Sequence, residues 1–294
     1  MRGLSDWTLS PGVVLPLAAT LLLYALGFAR LRRRAERGRS GLGRGALLFG
    51  AGWLSLAGAL LSPLHEGGEH SFALHMIEHE IIMLVAALLL VAARPGPVFL
   101  WAFPRPLRQV FGGAARWPFW SALTNPLVAT AIQSAVMIGW HAPVLFDLAL
   151  ESEGWHVVQH LCFVGSALLF WWAMLHNAGR GGRLVAAFCL FATSMVGGGL
   201  GALMALSHSP WYAPYAALGL TPEGLSPAED QQLAGLIMWV PGGLWHLGAS
   251  LWFLAKALGD ASTDKGLDDR PGDGDEAAER DEGAQPGLPA AALR

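Results

Sequence analysis

The chain has 294 residues, 53% of them hydrophobic and only 14% charged, with a mean hydropathy of +0.43. Soluble domains carry about 25% charged residues, so this composition excludes a soluble globular class and points to a lipid bilayer as the partner. The net charge is −3, and no nucleic-acid partner is expected.

A helix that spans a membrane needs about 20 largely uncharged residues. Seven such runs follow in chain order: Val13–Leu31, Gly45–Ser62, Ala73–Ala93, Thr124–Trp140, Trp155–His176, Arg183–Leu206 and Gln231–Leu258. The expected fold class is therefore all-α, a polytopic membrane protein whose residues 1–258 form a bundle of seven transmembrane helices. No segment alternates polar and apolar residues as a barrel strand would. The first run precedes its positive cluster and has no small-residue cleavage site, so it reads as a retained anchor rather than a secretory signal.

Orientation follows from Arg and Lys, which are enriched in cytoplasmic loops. Arg30, Arg32, Arg33, Arg34, Arg37, Arg39 and Arg44 cluster between the first two runs, and Arg94, Arg105, Arg108 and Arg116 follow the third. Arg180 and Arg183 precede the sixth, and Lys256 and Lys265 follow the seventh. The alternate connections, Pro63–Phe72, His141–Gly154 and Ser207–Asp230, contain neither residue type. The N-terminus is thus expected outside and the C-terminus in the cytoplasm. Residues 259–294, with ten acids against four bases, are expected to be a disordered acidic cytoplasmic tail. Cys162 and Cys189 fall inside apolar runs and read as small packing residues.

On this topology eight of the ten histidines lie at the outer side. Four form two His-x3-His pairs, His75/His79 and His156/His160. Residues four apart share a helix face, with Cβ atoms about 5–6 Å apart, so each pair can grip one metal ion. Both pairs sit roughly 3–10 Å below the outer boundary, with His141 beside them at the end of the fourth run. Polar groups placed inside a bilayer are costly and tend to face the bundle interior and carry function. Met83, Met137 and Met204 lie four residues from His79, His141 and His208. Thioether with imidazole favours copper, Cu(I) above all, although methionine also serves as ordinary packing.

Glu78 and Glu80 flank His79, and Glu78 could act as a ligand, an acceptor for a ligand or a proton carrier. Asp147, Glu151 and Glu153 form an expected acidic rim near His156. Ser226 to Gln231 resembles a helix start, with Pro227 in the first turn and Glu229 and Asp230 at the positive helix end. The glycines at 197, 198, 199 and 201 permit close helix approach, and Trp239-Val-Pro-Gly-Gly243 should kink or open the last run. Two other chemistries fit the histidines. His75-Met-Ile-Glu-His79 matches His-x-x-Glu-His, the pattern of an intramembrane zinc hydrolase with Glu78 as general base. Paired histidines can also ligate haem.

The stretches His75-Met-Ile-Glu-His79, Trp140-His-Ala-Pro-Val-Leu-Phe-Asp147, Trp155-His-Val-Val-Gln-His160, Leu168 to Trp172, Pro210 to Tyr215 and Asp230 to Gly243 resemble, in order, the multi-span CtaG family of cytochrome c oxidase assembly factors. The resemblance implies a multi-pass protein of the bacterial cytoplasmic (inner) membrane that is not an enzyme and is needed to make active haem–copper oxidase. It implies a copper chaperone role at the outer face, with His75, His79, His141, His156 and His160 as the copper ligands. The implied partners are haem–copper oxidase subunits and a periplasmic copper donor protein. Glu78 and Glu80 depart from the family pattern, which has Gln and an aliphatic residue or Met at these positions.

Overall fold

Pro11, Pro63, Pro118, Pro126, Pro143 and Pro227 each open a helix. Proline suits that first position because its missing N–H would have no partner there and its φ is already helical. The computed structural model describes residues 7–34, 39–114, 117–176 and 179–268. Arg37 and Arg116, part of the basic pattern above, lie outside the described residues.

Among the described residues the chain is helical throughout and contains no strand. The elements are α1 (Pro11–Arg34), α2 (Arg39–Leu61), α3 (Pro63–Gly68), α4 (Phe72–Ala92), α5 (Gly96–Ala102), α6 (Arg105–Ala114) and α7 (Pro118–Leu123). They continue with α8 (Pro126–Trp140), α9 (Pro143–Glu151), α10 (Glu153–Leu175), α11 (Gly179–Leu206), α12 (Ala213–Leu218), α13 (Pro227–Ile237) and α14 (Gly243–Asp268).

Five of these, α1, α2, α4, α10 and α11, are long and apolar enough to cross a membrane. The fourth expected span is different. Its helix α8 has 15 residues, short of a full crossing, and turns by 70° into α9. Counted as one bent span, that pair brings the number to six. The expected seventh run is helical, but a π-helical segment at Met238–Gly242 divides it into α13 and α14. The expected tail, 259–294, begins inside α14, which runs to Asp268; residues 269–294 lie outside the described residues.

Helix α4 sits at the centre, against α2, α10 and α13. Of its apolar stretch 56% is buried, compared with 17% for α1, which makes α4 a core element and α1 a peripheral one. Leu22, Leu54, Leu161, Phe188 and Leu203 are exposed on the flanking helices and form the apolar exterior that lipid would cover. Helices α11 and α13 approach closely at Gly201 and Gly235. A Cβ on Gly235 would stand 2.5 Å from the Gly201 carbonyl oxygen, so no other residue fits. Gly199, in the same glycine run, meets nothing.

Both helices that border the centre of the bundle carry a π segment. The segment at Met238–Gly242 contains Pro241, whose missing N–H breaks the ladder where the sequence suggested an opening. The other, Ile81–Ala86 in α4, has no such sequence signal. There the Trp171 indole donates to the Met83 carbonyl at 2.9 Å, giving one freed acceptor a partner from α10.

Candidate metal centre

Two helices supply the four paired imidazoles. On α4 the rings of His75 and His79 lie 4.3 Å apart, and on α10 those of His156 and His160 lie 4.5 Å apart. The two pairs face one another. His75 stacks over His156 at 5.4 Å and His79 meets His160 edge-on at 5.3 Å. The result is a compact quadrilateral of imidazoles buried between α4 and α10, turned away from the exterior.

His141 caps the end of α8, at the corner where the chain bends into α9. It shares two aromatic neighbours with the α4 pair: Phe146, which also packs on His75, and Phe163, which also packs on His79. Its Nδ1 bonds the Met137 carbonyl at 2.7 Å. Donation there puts the lone pair on Nε2, the arrangement that readies an imidazole for a metal.

Two further groups join: Glu78, which its spacing from His75 offered as a ligand, and His65, which no helical spacing singled out. The Ser62 hydroxyl accepts from Leu64 N at 3.3 Å and starts α3, which carries His65 back over the quadrilateral. The His65 ring stacks 5.3 Å from His156 and lies 5.8 Å from His160. Its Nδ1 hydrogen-bonds Glu78 Oε1 at 2.8 Å, and the same oxygen lies 3.4 Å from His160 Nε2. Ligand atoms of His65, Glu78 and His160 all fall within 4.8 Å of one another. Burial opposes a proton on His65, but the hydrogen bond to Glu78 and the charges of Glu78, Glu69 and Glu66 raise its pKa above the ordinary histidine value. The signal in the sequence was the carboxylate three residues after His75; the loop histidine had none, because α3 is too short for a periodic pattern.

The unpaired atoms define the site. His75, His141 and His156 each have a buried Nε2 without a partner, His79 has both ring nitrogens unpaired, and His160 Nε2 makes no hydrogen bond beyond the 3.4 Å approach of Glu78. Glu78 Oε2 is also without a partner. A buried polar atom left alone costs about 1–3 kcal/mol, so these atoms call for partners, which ordered water or an ion can supply. The four histidines paired by helical spacing, together with His141, carry these free nitrogens.

Access is from one side. A cavity of ≈ 490 Å³ is lined by His65, His156 and His160 together with Glu66, Glu69 and Glu153. Of the expected acidic rim only Glu153 lines it; Asp147 turns toward the backbone of Ala213. His70, also on this cavity, bonds the Glu66 carbonyl, while His208 is exposed. His246 lies elsewhere, bonded to the Gly242 carbonyl in α14 and stacked on Trp171.

The frame around the imidazoles is held from α13. Ser226 and Glu229 form the capping box that opens this helix. Asp230 does more than favour its own helix end. Its carboxylate, 2% exposed, accepts from Phe72 N at 2.6 Å, Ala73 N at 3.2 Å and the Ser71 hydroxyl at 2.9 Å. It thereby caps α4 and fixes the depth of His75. The Tyr212 hydroxyl donates to the His141 carbonyl at 3.0 Å, and the Tyr215 hydroxyl donates to the Gly68 carbonyl at 2.5 Å. These bonds clamp the corner at His141 and the end of α3.

Fold and site together define a class: an all-helical membrane protein that encloses a buried histidine–carboxylate cluster reached from one face. The family model for the cytochrome c oxidase caa3 assembly factor matches residues 22–259, and the chain belongs to that family. No curated protein and no solved structure matches it.

Proposed function

We propose that the protein is a non-enzymatic assembly factor that binds copper at the outer face of the bacterial inner membrane and passes it to a haem–copper oxidase. The observation that carries this reading is the set of buried, unpartnered nitrogens on His75, His79, His141, His156 and His160. His65 and Glu78 complete the first coordination shell from above. Imidazole donors suit copper and zinc, and the methionines beneath them tilt the choice toward copper. The side cavity gives a periplasmic donor protein and an oxidase subunit a route to His65, His156 and His160.

The same proposal carries the topology. Counting the bent α8–α9 pair as one span and α13–α14 as another gives seven, with the N-terminus outside. The distribution of Arg and Lys supports this orientation, and it places the cavity outside the cytoplasm.

Metal analysis of purified wild type beside the His75→Ala/His79→Ala variant tests the reading. Wild type should retain copper and the variant should lose the share of it that the imidazoles hold. In cells, deletion of the gene should leave oxidase subunits present but lacking copper. Unchanged oxidase copper would refute the assembly role. Zinc in place of copper, with a hydrolytic activity abolished by Glu78→Gln, would establish the hydrolase instead; a Soret band would establish haem.

A further inference from the structure

A second, smaller space is lined by residues of both π segments. It measures ≈ 20 Å³, room for about one water molecule or one bare ion. Met83 from α4, Met137 from α8 and Met238 from the second π segment all line it, each no more than 5% exposed. Three methionines from three different helices thus line one small gap. Met137 and Met238 meet across Gly197, where a Cβ would lie 3.4 Å from the Met137 sulfur and 4.0 Å from the Met238 methyl.

Packing is the ordinary role of methionine, but packing fills space and leaves no polar atom alone. Here the gap persists, and two buried polar atoms on its wall have no partner, Glu80 Oε2 and Gln133 Oε1. Gln133 turns its amide nitrogen to the Met83 sulfur at 3.7 Å, which leaves its oxygen free. Gly242 makes room for the carboxylate, since a Cβ there would stand 2.8 Å from Glu80 Oε2. An unpaired acid at this depth calls for a positive counterpart.

We propose that Met83, Met137 and Met238 form an inner site for a single Cu(I) ion, one layer below the imidazoles, with Glu80 as its counter-charge. The identity of the ion rests on the copper reading above; the existence of the site does not. Soft thioethers select a soft monovalent ion over Na⁺, Mg²⁺ or Ca²⁺. The layers are contiguous. Met83 follows His79 by one turn on α4, and the Met137 carbonyl holds the His141 ring. An ion leaving the imidazoles would meet sulfur next.

The test uses the full chain in nanodiscs loaded anaerobically with Cu(I), read by copper per chain and by X-ray absorption at the copper edge. Wild type should show nitrogen and sulfur scattering. The triple variant Met83→Leu/Met137→Leu/Met238→Leu, close to volume-conserving, should lose the sulfur scattering and one copper per chain while keeping the nitrogen scattering. His75→Ala/His79→Ala should keep the sulfur. Absence of sulfur scattering from wild type, or its persistence in the triple variant, overturns the inner site. Sulfur without nitrogen in wild type overturns the outer imidazole site and leaves this one standing. If the triple variant does not fold, each single Met→Leu variant should still lower the sulfur contribution, and no change in any of them overturns the proposal.

Discussion

Replacing Asp230 with Ala removes the side chain that caps the amides of Phe72 and Ala73, and it also releases the Ser71 hydroxyl. Ser71 keeps its own contact with Leu74 N at 3.4 Å, so the two amides dominate the loss. At about 1–3 kcal/mol for each buried donor left unpaired, and with some relief from relaxation, the expected cost is ~2–4 kcal/mol. For a chain of this size that corresponds to a fall in Tm of roughly 3–7 °C in detergent. Asp230→Asn keeps one acceptor oxygen and should show about half the fall. Because α4 then frays at the turn that carries His75, copper retention should drop in parallel. Glu229→Gln disturbs only the exposed capping box of α13 and should have a smaller effect on both readouts. Thermal unfolding followed by intrinsic tryptophan fluorescence gives the first readout, and metal analysis gives the second. If Asp230→Ala shifts Tm no more than Glu229→Gln, the carboxylate does not hold α4 in place.

Gly235→Ala drives a methyl into the backbone of α11 and should destabilise by about 1–3 kcal/mol or more, whereas Gly199→Ala should leave the unfolding curve unchanged. Glu78→Gln keeps a hydrogen-bond partner for His65 but removes the charge; it should weaken Cu(II) retention several-fold more than Cu(I) retention, measured by chelator competition. His141→Ala should reduce copper retention, and His208→Ala, at an exposed position, should not. Trp171→Phe leaves the Met83 carbonyl without its indole partner, and its effect on stability should be about 1 kcal/mol by the same unfolding assay.

Much of this was legible in the order of residues. Helical spacing put His75 with His79 and His156 with His160, because a fixed rise per residue decides which side chains share a face. Apolar run length marked the long helices, and the helix start at Ser226 and the break at Pro241 were visible as local chemistry. Local rules also misled in places. Asp230 reads as an acid favouring its own helix, while its carboxylate serves a helix 158 residues away. The π segment in α4 meets an indole from α10, and nothing near Ile81 announces it.

Residue order by itself therefore determined what depends on neighbours within a few turns: an all-helical membrane chain, paired imidazoles on two faces, and glycine where helices meet. Tertiary structure alone decided that the two faces oppose each other, that His65 and Glu78 close over them, and that three methionines from separate helices share one gap. Those contacts join positions tens to more than a hundred residues apart. Periodicity carries no information about which faces meet, and packing of the whole bundle selects them.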